Sequence, residues 1–396
     1  MKDKRLGNPF QRQGVQNTIA AVVAILIGML VGLVVLLFTD ASRAGEGMLA
    51  ILTGGFSDRK NMGQVLYYAT PLIMTGLSVG FAKKTGLFNI GAPGQYMMGA
   101  FAAVYVGVKW TFLRAGIHCL VAILAACLFG AVWGILPGLL KAWRGINEVI
   151  TCIMMNYIAM SMSNVLIRTF IYDRAKNQSF RPADTAELPK LGFDKIFVGE
   201  SGTPSSVNAG ILVAIVLAIV VWVILEKTRM GYELKACGFN KDAAKYAGIS
   251  EKRNIVQAMV IAGALAGIGG GLNYLAGAGT GIMVSDTLAQ QGFDGIAVAL
   301  LGMSNPIAII FTGILMAYLT VGGLAMQSFG FVSQVITIIT SVIVYFAAFI
   351  LFFSQIIAKF AKDRGQKHNA NADSGEGGDP PGPQPPAHPE EGGEQA

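Results

Sequence analysis

The sequence predicts an all-α membrane protein with about ten transmembrane helices, and three observations carry that expectation. Hydrophobic residues make up 53% of the chain and charged residues only 13%, whereas soluble domains average about 25% charged. Several apolar runs approach the ~20 residues that a helix needs to cross hydrocarbon. Basic residues concentrate in alternate loops, as the retention of lysine and arginine on the cytoplasmic side requires.

The apolar runs place spans at about 17–38, 64–82, 92–108, 117–140, 148–170, 208–225, 254–276, 288–302, 306–321 and 331–354. The first follows Lys2, Lys4, Arg5 and Arg12. It is too long for the apolar core of a cleaved signal peptide, and no A-x-A site follows it, so it reads as a retained span. The third and eighth runs are short and border glycine-rich sequence. With the N-terminus inside, nineteen of the 30 lysines and arginines fall in cytoplasmic segments. Both termini are therefore expected in the cytoplasm, and the net charge of +7 reflects loop retention, not nucleic-acid binding.

The expected organisation is a cytoplasmic N-terminal segment 1–16, a transmembrane domain 17–355 and a cytoplasmic tail 356–396. The tail turns to Gly, Pro and acidic residues with too little apolar content for a core, so it is expected to be largely disordered. Segment 39–63 is long enough for an external surface helix; 171–207 is an external loop with Pro182, Pro189 and Pro204. Segment 226–254 is basic, cytoplasmic and free of proline.

Glycines recur at helix-packing spacing: Gly130, Gly134 and Gly138; Gly263, Gly267 and Gly271; Gly28 and Gly32. Such ridges let helices approach closely in lipid. Pro71 and Pro137 are expected to bend the second and fourth spans. Cys119, Cys127, Cys152 and Cys237 form no C-x-x-C pair, and His118, His368 and His388 match no zinc spacing.

Absences narrow the chemistry. No G-x-x-x-x-G-K-S/T phosphate loop occurs, and GAGTG (277–281) and GGGLN (269–273) lack the preceding strand of a dinucleotide site. No H-E-x-x-H or G-x-S-x-G motif supports hydrolysis. Glu148 and Asp294 fall at span ends, leaving no carboxylate in mid-span to relay protons or sodium. An external energy source fits this pattern, with no cofactor in the chain itself.

Three segments bear function. GLFNIGAPGQYMMGAF (86–101) sets polar Asn89 and Gln95 among glycines beside an apolar run. It reads equally as a broken helix lining a pathway or as an interfacial loop. In GINEVITCIMMNYIAM (145–160), Asn147 and Glu148 suit a helix N-terminus, and Asn156 lies two turns further in. TRMGYELKACGFNKDAAKYAGIS (228–250) is basic and amphipathic, which suits either a helix lying on anionic lipid or a docking element.

Together, FNIGA-x-GQ, G-x-NEVI-x-x-IM-x-NYIA, G-x-x-L-x-A-x-G-x-N-x-x-AA-x-YAGI and GFDGIAVALLG-x-x-NP resemble, in order and over about residues 15–355, a family of ABC importer permeases. That family serves branched-chain amino acids, simple sugars and nucleosides. The resemblance implies a type II ABC importer permease architecture with broken helices. It also implies a dimer with a second homologous permease, a cytoplasmic ABC ATPase that binds ATP and Mg, and an extracytoplasmic solute-binding lipoprotein, in the plasma membrane of a bacterium. Tyr232, Glu233, Leu234, Gly238, Asn240, Ala243, Ala244 and Tyr246 match the element that couples to the ATPase, with Gly238 at its turn and Asn240 in the following helix. Asn89, Gly91, Gly94, Gln95, Asn147, Glu148, Asn156, Asp294 and Asn305 match positions near the substrate pathway. The second block is most similar to the nucleoside branch, and Pro93 departs from it where the family often has glutamate. The alternatives are a sugar or branched-chain amino acid permease and, from another class, an ion-coupled secondary transporter.

Overall fold

The computed structural model describes residues 13–349 apart from 201 and 280; the segment 1–12 and the expected tail lie outside the described residues. The fold is that of the unit Ala21–Ile350. Its helices are α1 (Gln13–Thr39), α2 (Ala44–Thr53), α3 (Arg59–Lys84), α4 (Ala92–Lys109), α5 (Ile117–Arg144), α6 (Glu148–Phe170), α7 (Phe193–Ile196), α8 (Gly210–Lys227), α9 (Arg229–Phe239), α10 (Lys241–Tyr246), α11 (Glu251–Tyr274), α12 (Gln290–Leu301), α13 (Pro306–Met326) and α14 (Ser333–Ala348). A hairpin of β1 (Tyr172–Asp173) and β2 (Gln178–Ser179) is the one sheet among the described residues. Six helices, α3, α5, α6, α8, α11 and α13, are long and apolar enough to cross a membrane. The protein is a multi-pass, all-α membrane protein.

Each expected span overlies a helix, and segment 39–63 holds the expected short helix, α2. The eighth span needs correction. α12 has 12 residues and rises only about 18 Å at 1.5 Å per residue, short of a hydrocarbon core of about 30 Å. The chain leading into it is non-helical and includes left-handed Gly277 and Gly279. An apolar window counts 288–302 as a span, but the helix is a half-span.

The bundle is organised around α3, whose apolar window is 83% buried against 28% for α5. The glycine ridges meet each other: a methyl group on Gly130 would run into the Gly263 carbonyl, and one on Gly267 into the Ala126 carbonyl. On another side of α11, Gly267 lies against Gly99 and Gly270 against the Tyr96 carbonyl of α4. The α4–α5–α11 seam is thus backbone against backbone, the geometry in which lipid-embedded helices gain most from dispersion. Gly263→Leu is expected to destabilise the protein by about 3 kcal/mol, the upper end for an overpacked site, because carbonyls cannot give way as side chains can. A melting temperature in detergent unchanged by that substitution would contradict the seam.

Segment 171–207 is tied down. Ser179 donates its amide to the Ile282 carbonyl at 2.9 Å and Ala183 donates to the Gly107 carbonyl at 2.9 Å. Buried His118 bridges the Val106 carbonyl through Nε2 and the Thr185 hydroxyl through Nδ1, each at 2.9 Å.

Candidate functional site: a clasped broken helix under a two-helix element

After α3 the chain reverses at Gly86, whose φ of +78° favours glycine. It runs non-helically to α4, which opens with Pro93 in its first turn, a position where a missing amide hydrogen costs little. Asn89 stitches this break. Its Nδ2 donates to Ser78 Oγ at 3.0 Å and Gln95 Oε1 at 2.8 Å, and its Oδ1 accepts from the Gly91 amide at 3.0 Å. Asn156, from α6, accepts from the Gly94 amide and donates to the Ile90 carbonyl, both at 3.0 Å.

Asn89, Gln95 and Asn156 are all at most 2% exposed. Gly91 and Gly94 leave the room this requires, since a methyl group on Gly94 would sit 2.9 Å from Asn156 Oδ1. The structure therefore brings five of the expected pathway residues together in a clasp whose side-chain amides bond chiefly to each other and to the broken backbone. That arrangement answers the demand that irregular backbone at membrane depth be satisfied by protein.

Asn147 caps α6, accepting from the Val149 amide at 2.9 Å. Glu148 pairs with Lys141 at 2.7 Å across the left-handed Gly145 turn between α5 and α6. Asn305 caps α13 through the Ile307 amide at 3.0 Å. These three fix helix ends and lie outside the clasp.

Asp294 corrects an expectation. The sequence places it at a span end, but α12 starts inside the bundle. Thr75, well within α3, donates its hydroxyl to the Gln291 carbonyl at 2.9 Å, and Gly295 abuts Thr75. Asp294 is thus a carboxylate beside the middle of α3. Among the described residues it has no cationic partner, and its hydrogen bond comes from Gln290 Nε2 at 3.0 Å. Pro93, the departure from the family pattern, packs on Gly292 in the same first turn of α12.

The 228–250 element forms α9 and α10. Thr228 caps α9 by accepting from the Gly231 amide at 3.1 Å, and Asn240 caps α10 by accepting from the Ala243 amide at 3.0 Å. Gly238 is therefore not at the turn; it belongs to the last turn of α9, and Asn240 makes the turn as a cap instead of lying within the following helix. Gly238 serves close approach: a methyl group there would lie 2.7 Å from the Thr85 carbonyl carbon and 2.8 Å from the Gly86 nitrogen. The inner face of the element holds buried Leu234 and Ala244, while Tyr232, Phe239 and Tyr246 stand exposed at 68%, 88% and 95%. Ala243 is exposed, and Glu233 pairs with Arg229 at 2.8 Å. The Gly86 contact was not singled out from the sequence, although a glycine two residues beyond a pair of helix-ending lysines is a turn signal.

At the other end of α3 a cavity of about 660 Å³ opens between α2, α3 and α13. Lys60, Asn61, Gln64 and Tyr68 line one wall and Ala325 and Ser328 another. Sequence reasoning missed it because its walls come from segments some 260 residues apart.

Residues 61–353 match the family model described as branched-chain amino acid transport system / permease component. Guanosine ABC transporter permease protein NupP of Bacillus subtilis is 36% identical over 82% of this chain and 90% of its own. Nucleoside ABC transporter permease protein NupB of Lactococcus lactis is 31% identical over 82% and 89%. Glucose ABC transporter permease protein TsgB13 of Haloferax volcanii is 33% identical over 80% and 83%. The same two bacteria hold a second relative each, NupQ and NupC, both 27% identical over 65% of this chain. No solved structure matches. With the match covering most of the chain and these identities sustained along it, the protein belongs to the branched-chain amino acid transport system / permease component family.

Proposed function

We propose that this chain is the permease subunit of an ABC importer that moves nucleosides across the cytoplasmic membrane by alternating access. The observation that carries the solute is the identity to NupP and NupB over most of both chains. ATP and Mg bind a partner ATPase in this reading, and no cofactor is assigned to this chain. The occurrence of NupQ and NupC beside them supports pairing with a second permease. The basic α9–α10 end faces the cytoplasm with both termini, and the 171–207 end receives the solute-binding lipoprotein.

The ATPase grips the exposed Tyr232, Phe239 and Tyr246 face. Movement of α9 passes through the Gly238–Gly86 contact into the Asn89–Asn156 clasp and so to α4 and α6. The α2–α3–α13 cavity, within the size range of small-ligand sites, receives the solute from outside. Asn89, Gly91, Gly94, Gln95, Asn147, Glu148, Asn156 and Asn305 shape the pathway by holding its helix ends. Asp294 meets the solute itself: a carboxylate at membrane depth without a cation needs donors from elsewhere, and ribose hydroxyls or base N–H groups supply them.

Competition for uptake among guanosine, glucose and leucine tests the solute, with displacement by guanosine expected. A glucose result would favour the sugar reading, which the identity to TsgB13 supports. Asp294→Asn is expected to lower uptake at least about tenfold, some 1.4 kcal/mol, with ATPase association intact. Unchanged uptake would remove Asp294 from the pathway.

A further inference from the structure

A second cavity, of about 250 Å³, lies where the end of α3 meets the last turn of α9 and the α12–α13 turn. Lys83 and Lys84 line it, with Gly238 and Phe239 on one side and Met303 and Ser304 on another. Among the described residues no carboxylate pairs with either lysine. The helix end does not need them as donors either. The Ala82 carbonyl accepts from the Thr85 and Leu87 amides and the Lys83 carbonyl from the Gly86 amide, so these C-terminal acceptors of α3 are already satisfied.

Lys83 and Lys84 are neighbours in the chain at the end of α3, and both are exposed where they line the cleft. Two ammonium groups kept together in a partly enclosed cleft are unfavourable until an anion joins them. A second, independent feature lies in the same wall. Ser304 is 3% exposed, and its buried hydroxyl has no hydrogen-bond partner, an arrangement that costs free energy unless a partner arrives.

We propose that this cleft binds a phosphate-bearing anion, with Lys83 and Lys84 supplying its charge partners and the Ser304 side chain turning to donate its hydroxyl. Lysine is a point-charge phosphate binder, and two of them match a phosphate dianion. α3 is the most buried of the membrane-crossing helices, and the cleft at its end is walled by other helices of this chain, α9 and the α12–α13 turn. A soluble phosphate or phosphate monoester is therefore favoured as the source over a lipid headgroup. Resting on the transport reading above, the bound anion would bridge α9 to the α3 and α12–α13 turns and so brake the movement that α9 passes on.

The test uses the full chain in nanodiscs of phosphatidylcholine, titrated calorimetrically with inorganic phosphate at constant ionic strength. Saturable binding is expected, weakened at least about tenfold in Lys83→Gln/Lys84→Gln and several-fold in Ser304→Ala, and unchanged in Lys109→Gln at the other end of the bundle. Loss of phosphate binding when phosphatidylglycerol is added to the discs would keep the site and assign it to a lipid headgroup. Absence of saturable binding of either, or binding indifferent to the lysine pair, overturns the proposal. So does a lysine-pair variant that loses ATPase association while phosphate leaves association of the unaltered chain unchanged, since the cleft would then seat a carboxylate of the ATPase. Binding is read without transport, so failure of the nucleoside reading would leave this result standing and remove only the braking role.

Discussion

Gly238→Leu is expected to abolish solute uptake while leaving the chain folded and the ATPase bound. The leucine Cβ would fall 2.7 Å from the Thr85 carbonyl carbon and 2.8 Å from the Gly86 nitrogen, and neither backbone atom can swing aside as a side chain would. α9 must lift off the α3–α4 turn. Tyr232 and Tyr246, exposed at 68% and 95%, take no part in that contact or in the cleft beside it, so ATPase docking survives and its motion is no longer transmitted. Uptake should drop by well over tenfold, more than about 1.4 kcal/mol of lost coupling, with Gly238→Ala intermediate. Paired measurement of uptake and co-purification of the ATPase decides. Normal uptake in Gly238→Leu would mean that force reaches the bundle by another route.

Asn156→Leu should have a large effect on stability, because both of its clasp bonds go to the broken backbone. It leaves the Gly94 amide without its acceptor and the Ile90 carbonyl without its donor. Each buried group left unsatisfied costs about 1–3 kcal/mol, so a loss of about 2–6 kcal/mol is expected. The effect would appear as a lowered melting temperature in detergent and as proteolytic opening near residues 86–95. Asn156→Asp keeps an acceptor for the Gly94 amide and should fall between the two proteins. A leucine variant as stable as the parent would mean that water satisfies these groups, and that the break before α4 is hydrated.

Much of this fold can be read from hydropathy, because a helix in lipid must be apolar along its length whatever its neighbours. α12 escapes that reading, since a 15-residue apolar window does not reveal whether all of it is helical. The two glycine ridges are visible as spacing, but that Gly130 faces Gly263 is a fact about pairing, which no local pattern encodes. The resemblance puts Gly238 at the turn of the coupling element, whereas here the Asn240 cap makes the turn and the glycine serves contact. Asn89, Gln95 and Asn156 were found as residues that need polar company. Which company they keep, each other and a broken backbone, depends on α6 crossing α4 at Gly94.

The seam of α4, α5 and α11 has a mechanical implication. Ordinary helix interfaces can slide by fractions of an ångström as side chains hop between rotamers. A Gly130–Gly263 contact has no rotamers to exchange: the two backbones interlock like the teeth of a closed zip, and displacement along the seam means lifting one helix clear of the other. These three helices should therefore travel as a single beam throughout the transport cycle. Deformation would then be left to elements that join it through side chains or short ends, α6 at the clasp and the half-length α12. A probe pair spanning α5 and α11 should report no distance change between nucleotide states, and one spanning α11 and α12 should report the stroke.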